Sequence, residues 1–404
     1  MHQRNKIDVI VKYSHPVAAG IEVNTLETYS VLAKEGWEVT FHTSKDTLTE
    51  KNVLQDEEMH RGIRIRRYRF GWLGYFPQID WATTDVVCLH NFNVLPHFIL
   101  MVRVGLLKLC GRKTFGFFLT PHGGFNPEWS IFPQGVALIK RWYHYTLGAF
   151  MINCSMDGVR AVSEWERIEM VKHGVKESLV KVISNGLENE AFLDVDQAAS
   201  KEVKKAVEGY GRYIIQVGRV YPIKNYETTI RALALVPSDV KYLIVGPPAG
   251  EVYRATLERL IGELGLKERV IFAGVVRGVD KYYLIKHAAM MVHMALWESF
   301  CNVVHEGMSQ GLVCIVADNT ALPLLIQDGV NGYCLSTKDH EKLSERIRFV
   351  LKRSDSEEII EMRRRSIEFG RKNSWSEVAA RMAMFYLQSI PTKHRSFNGK
   401  PNQS

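Results

Sequence analysis

The sequence predicts an α/β protein of two domains, each built on a parallel sheet. Three observations carry this. At 404 residues the chain is too long for one hydrophobic core and suits two. Short apolar runs bounded by turn residues, such as Tyr213 to Gly218 and Leu312 to Ala317, read as strands buried on both faces. Between such runs lie amphipathic stretches of helical length, as crossover connections require.

In chain order, Lys6 to Val11 is a short strand and His15 to Gly20 a turn of small residues. Ile21 to Glu35 is a helix with Val23, Leu26, Leu32 and Ala33 on one face. Gly36 ends it, and Val39 to His42 is the second strand, so the chain opens on a βαβ unit. Ala19-Gly20 lets a ligand approach the backbone, although an ordinary turn has the same composition. Arg61 to Trp81 interleaves basic and aromatic residues, and reads either as a strand with solvated arginines or as an interfacial lip. Asp85 to His90 is a strand, Phe98 to Cys110 a helix, and Lys113 to Thr120 a strand that runs into Thr120-Pro121-His122-Gly123-Gly124-Phe125. A histidine in such a loop titrates near neutrality and can hydrogen-bond a hydroxyl or a phosphate. Gly158 to Val162 is a strand, Ser163 and Glu166 form a capping box for the next helix, and Lys181 to Gly186 is a strand and turn.

The second half repeats the alternation. Asp194 to Tyr210 is a charged helical linker, and Tyr213 to Gly218 a strand followed by Arg219 and Lys224. A guanidinium fork and an ammonium at a strand's carboxyl end suit a diphosphate; two solvated surface cations have the same spacing. Tyr242 to Gly246, Val270 to Val276 and Met290 to Met294 are further strands. The last leads into Trp297 to Gly307, with Glu298 in a loop and Glu306 inside a helix of two turns that Gly311 closes. Amides near Asn302 and Val303 suit an anion, and a carboxylate one turn further in accepts hydrogen bonds from vicinal hydroxyls. By itself the glutamate pair also fits a solvated helix face. Helices follow over 338–353 and 355–372 and from Ser374 to about Gln388, and Pro391 to Ser404 is polar enough to be expected disordered.

Composition narrows the classes. No apolar run reaches the ~20 residues that span a bilayer; Phe98 to Cys110 is broken by Arg103 and Lys108, and no secretory leader is visible. Six cysteines without CxxC spacing read as buried free thiols of a cytoplasmic protein, with no zinc site. The net charge is +8, and Arg61 to Lys113 holds nine basic residues against Asp80 and Asp85, leaving +7. No nucleic-acid motif accompanies that charge, so no nucleic-acid partner is expected; an anionic membrane surface or anionic acceptor suits it better.

Glu298 and Glu306 with seven residues between them, Arg219 with Lys224, His122 in its Pro-Gly-Gly loop, the "VSE" helix start at Val162 and the Ile183-Ser184-Asn185-Gly186 turn together resemble the retaining, nucleotide-sugar-dependent glycosyltransferases of the GT-B fold, the family 4-type group that includes glycogen synthase-like and mannosyltransferase-like enzymes. The resemblance covers nearly the whole chain. It implies two Rossmann-like domains facing each other across a cleft: 1–187 on the acceptor side, 188–372 binding the nucleotide sugar, 373–390 a helix crossing back, and 391–404 a tail. It implies a retaining hexosyltransferase of glycan biosynthesis with a UDP- or GDP-linked donor such as GDP-mannose, no metal and no cofactor beyond that donor. His122 matches the family's histidine near the reacting carbon and, with Glu298, is assigned to catalysis. Gly20, Arg219, Lys224, Val275, Val276, Phe300, Cys301, Asn302, Val303 and Glu306 are assigned to the donor. The acceptor is expected to be a lipid-linked or anionic glycan precursor, and the protein cytoplasmic or peripheral on the cytoplasmic membrane face. Three departures stand out: Ala19 for a glycine, Asn225 for the glycine after the lysine, and Leu324 for a glutamate. Two other classes share these motifs, a nucleotide-sugar epimerase and a non-catalytic nucleotide-sugar-binding subunit.

Overall fold

A computed structural model describes residues 5–17, 19–72, 74–248 and 250–388; the tail expected from Pro391 lies outside the described residues. The chain divides into two units. The first takes residues up to Val162, Arg167–Ile183 and the C-terminal segment from Ser376; the second takes Ser163–Glu166 and Ser184–Trp375.

The first unit is a sheet of β1 (Lys6–Ile10), β2 (Glu38–Ser44), β3 (Glu57–His60), β4 (Ile63–Tyr68), β5 (Val86–His90), β6 (Gly116–Thr120), β7 (Gly158–Ala161) and β8 (Val180–Val182). The order is β3-β4-β2-β1-β5-β6-β7-β8, with only β3 antiparallel to its neighbour. Winding reverses between β1 and β5, and at such a switch point two loops part and leave a crevice. β5 and β6 are buried at every residue, as their unbroken apolar runs require. The helix Trp375–Leu387 belongs here through Phe385 and Tyr386, whose rings lie 5.1 and 4.9 Å from that of Phe118.

The second unit is wholly parallel. It contains β9 (Tyr213–Val217), β10 (Lys241–Val245), β11 (Val270–Gly274), β12 (Met290–His293), β13 (Cys314–Ala317) and β14 (Gly332–Leu335), in the order β11-β10-β9-β12-β13-β14. Its switch point lies between β9 and β12. Both units are thus Rossmann-like α/β sheets.

Two expectations change. The basic span is not a free positive field. Arg61 pairs with Glu27, Arg64 and Arg66 with Glu57, Arg67 with Glu58, and Lys108 and Lys113 with Asp157. All four carboxylates lie outside Arg61–Lys113 in sequence, so a local charge count missed them. Arg67 is buried, and Tyr75 is a core residue whose hydroxyl donates to the carbonyls of Val11 and His42 at 2.9 and 2.7 Å. Only Trp72 and Phe76 of that segment's large aromatics are exposed among the described residues. The cysteines are free thiols, but Cys110 and Cys154 are exposed rather than buried.

Two glycines separate packing from access. Gly246 sits at φ +149, where a Cβ stands 2.0 Å from the Gly218 carbonyl oxygen, so the ends of β9 and β10 close only around glycine. A Cβ on Gly20 meets nothing within 4 Å among the described residues. Gly246→Ala is expected to cost at least about 1–3 kcal/mol by overpacking, a fall of several degrees in the midpoint of its unit. Gly20→Ala is expected to melt as the wild type does, and differential scanning calorimetry of both variants checks the contrast.

Candidate active site

The second unit's switch point brings together residues far apart in sequence. Arg219 and Lys224 follow β9, and Glu298 follows the adjacent β12. The Lys224 Nζ contacts Glu298 Oε1, and His293 Nε2 lies 2.8 Å from the same oxygen. Burial opposes the charge on Glu298, but the Lys224 ammonium and the His293 hydrogen bond outweigh it and hold the carboxyl at about 2. Burial likewise opposes the Lys224 charge, and Glu298 reverses the balance and raises it. Burial lowers His293, which is therefore neutral at pH 7 and donates its Nε2–H to the carboxylate. The Glu298 amide donates to Thr320 Oγ1 at 3.0 Å, and Thr320 is held at φ +46, an unfavourable conformation for a β-branched residue. Asn225 also has a positive φ, +50, which asparagine tolerates. Its Nδ2 donates to the carbonyls of Met294 and Thr337 at 2.8 and 2.9 Å, an anchoring that glycine could not supply.

The helix Asn302–Ser309 begins after Phe300 and Cys301, both buried, with Cys301 as its N-cap residue at φ +77. Asn302 and Val303 occupy its first turn, and Asn302 Oδ1 accepts from Asn185 Nδ2 at 2.8 Å. One turn on, Glu306 Oε1 meets Lys281 Nζ at 3.0 Å, and Lys281 also meets Glu188 at 2.9 Å. Glu306 Oε2 is buried with no hydrogen-bond partner among the described residues. Burial raises the Glu306 pKa against the pull of Lys281; the two carboxylates, overcoming burial, push Lys281 up to about 12. Lys281 and Glu188 carry no local motif, so sequence reading passed over them, as it did His293.

Not every assigned residue joins this cluster. Arg219 is exposed, with its guanidinium 6.0 Å from the Tyr221 ring. Val275 and Val276 lie beyond the strand expected to contain them, because β11 stops at Gly274, where φ is +68. β11 is an edge strand with β10 between it and β9, so the two valines stand at the far side of the same sheet end. Leu324 is exposed on the short helix Leu322–Leu325. His293, Glu298 and Cys301 place ligand-type atoms within 4.8 Å of one another, but the Lys224 ammonium already holds the shared carboxylate, and burial pushes the Cys301 thiol well up. That set favours a fixed cation over a metal ion.

In the first unit, His122 stands in the loop after β6 at φ +53, and Gly20 opens the helix Gly20–Lys34. The loop is wedged against its neighbour: a Cβ on Gly124 stands 2.1 Å from Asn91 Oδ1. His122 Nε2 lies 2.8 Å from His90 Nδ1, His90 Nε2 lies 2.8 Å from the Tyr29 hydroxyl, and Tyr29 lies 2.7 Å from the Tyr386 hydroxyl. Burial pushes both imidazoles well below their ordinary pKa. This corrects the expectation of titration near neutrality: His122 is a neutral hydrogen-bonding group. The chain Tyr29–His90 had no sequence signal beyond the placement of His90 at a strand end.

The Lys224–Glu298 pair makes two predictions. Lys224→Ala leaves an uncompensated buried carboxylate and is expected to cost about 3–5 kcal/mol, whereas Lys224→Met with Glu298→Gln recovers most of that loss in chemical denaturation. Because Glu298 is depressed from 4.5 to about 2, its contribution to stability is complete above pH 4.5 and is lost as pH falls toward 2. Between those values the unfolding free energy is expected to rise with pH less steeply in Glu298→Gln than in the wild type.

Two family models match the chain: "Glycosyltransferase Family 4" over residues 18–190 and "Glycosyl transferases group 1" over residues 198–373. A D-inositol 3-phosphate glycosyltransferase of Mycobacterium sp. (strain JLS) is 29% identical over 180 residues, 44% of this chain and 40% of that protein. The enzyme of the same name from Mycolicibacterium smegmatis is 27% identical over 234 residues, 57% of this chain and 52% of that protein. The matched stretch thus spans 40% to 52% of these curated relatives' length. The crystal structure of Anabaena HepE in complex with UDP and glucose superposes with a TM-score of 0.73 at 17% identity, covering 95% of this chain and 100% of that one. With both halves matched and the fold shared along nearly the whole length, the chain belongs to the group 1 glycosyltransferases of GT-B fold.

Proposed function

We propose that this protein is a retaining hexosyltransferase that moves a sugar from a UDP- or GDP-linked donor to a lipid-linked or anionic glycan precursor, without a metal ion or other cofactor. The observation that carries the reading is Glu306. Lys281 fixes one of its oxygens while the other is buried without a partner among the described residues, one turn inside the helix Asn302–Ser309. A buried carboxylate oxygen left open costs free energy that vicinal ribose hydroxyls recover. The helix amides and Arg219 take the diphosphate. Lys224, held in place by Glu298, offers its remaining N–H donors to the diphosphate as charge develops there. Glu298, held by Lys224 and His293, orients that ammonium and lies nearest the sugar. His122 keeps the role the family resemblance implies, as a neutral hydrogen-bond partner.

In the reaction the anomeric carbon–oxygen bond to the diphosphate breaks with its electron pair. The acceptor hydroxyl oxygen bonds the same face of that carbon, and its proton passes to the departing diphosphate. Anabaena HepE was crystallised with UDP and glucose, which favours testing uridine donors first.

The expected outcome is transfer from a UDP- or GDP-sugar that persists in chelator and yields a product of unchanged anomeric configuration by NMR. Glu306→Gln is expected to raise the donor Kd roughly ten- to a hundred-fold, the loss of a hydrogen bond to a charged group, while Glu298→Gln chiefly lowers kcat. Absence of nucleoside diphosphate binding in calorimetry, or an inverted product, overturns the reading.

A further inference from the structure

We propose that the first unit docks on a lipid bilayer with anionic headgroups through the helix Gln134–Tyr143. This inference does not depend on the transferase reading, and it moves the membrane contact away from the arginine-rich strands. Leu138, Ile139 and Trp142 are 69%, 71% and 63% exposed. At roughly 100° per residue they share one arc of the helix, with Arg141 at one edge and Lys140 at the other. An apolar arc bordered by cations is the pattern of a helix lying in a membrane interface, with tryptophan at headgroup depth. Ile131 and Phe150, just outside the helix, are also exposed.

Charge selects the occupant. Between Asp85 and Asp157 the sequence contains one acid, Glu128, and its carboxylate accepts from the Ser130 amide. Of the basic residues in that stretch, Lys108 and Lys113 are tied to Asp157 and Arg103 lies over the Trp81 ring at 4.4 Å. Arg112, Lys140 and Arg141 have no carboxylate partner among the described residues; Lys140 is half-buried with its ammonium over the Phe132 ring at 4.1 Å, while Arg112 and Arg141 are exposed. A second copy meeting this face across a two-fold axis would set Lys140 and Arg141 against themselves with no acid to relieve them. An anionic leaflet supplies the opposite charge and the apolar depth together. The neighbouring helix His97–Leu109, whose Phe98 ring lies edge-on to Tyr143 at 6.1 Å, repeats the pattern with exposed Leu106 and Leu109 near Arg112.

The test is cosedimentation of the full chain with phosphatidylcholine vesicles that contain or lack phosphatidylglycerol, at low and high salt. The wild type is expected to pellet with the anionic vesicles at low salt and to be released at high salt. Leu138→Glu with Ile139→Glu is expected to weaken binding by roughly tenfold or more, since it places charge in the apolar arc. Should that variant fail the circular dichroism check for folding, Arg141→Glu, at an exposed position, is expected to weaken binding and flatten the salt response. Arg64→Glu with Arg66→Glu is expected to bind as the wild type. The proposal is overturned if the wild type stays in the supernatant with anionic vesicles, or if folded helix variants pellet unchanged. It is also overturned if only the strand variant loses binding, or if sedimentation velocity shows a dimer that the helix variant dissociates.

Discussion

The second unit is organised around an ion pair between half-buried Lys224 and buried Glu298, completed by the neutral His293. Neither charge is stable alone in that position, and the pair exists because β9 and β12 are neighbours at the point where the sheet's winding reverses. The surrounding backbone is bent to hold it. Asn225, Cys301 and Thr320, none of them glycine, all sit at positive φ within the loops that carry the cluster. Such conformations persist only where packing over-determines them, and they gather where a site must be preorganised.

The parallel strands were legible because burial on both faces writes them as unbroken apolar runs. Glu298 and Glu306 were legible because strand, loop and helix in succession put one at a sheet edge and the other inside the next helix. What was not legible shares one cause: partners contributed by other segments. Lys281 reaches Glu306 from a helix with no motif, Glu188 reaches Lys281 from a 3₁₀ turn's edge, and Asp157 pairs with Lys108 and Lys113 from more than forty residues away. The same cause misled the reading of His122, whose neutrality comes from burial beside His90 rather than from its own loop.

Departures from the family pattern follow the same logic. Asn225 keeps the left-handed turn that glycine would make and adds two hydrogen bonds across the sheet end. Leu324 has an exposed side chain on the short helix Leu322–Leu325, and its amide donates to the Ala321 carbonyl at 3.2 Å. Among the described residues no helix is long and apolar enough to cross a membrane.

The central claim is that the open oxygen of Glu306 awaits ribose hydroxyls. It is tested most directly by comparing UDP with 2′,3′-dideoxy-UDP, and GDP with its dideoxy counterpart, by titration calorimetry on the unmodified protein. The account predicts that removing the two hydroxyls weakens binding by one to two orders of magnitude, about 1.5–3 kcal/mol for hydrogen bonds to a charged group. Equal affinity for the ribose and dideoxyribose nucleotides would contradict it.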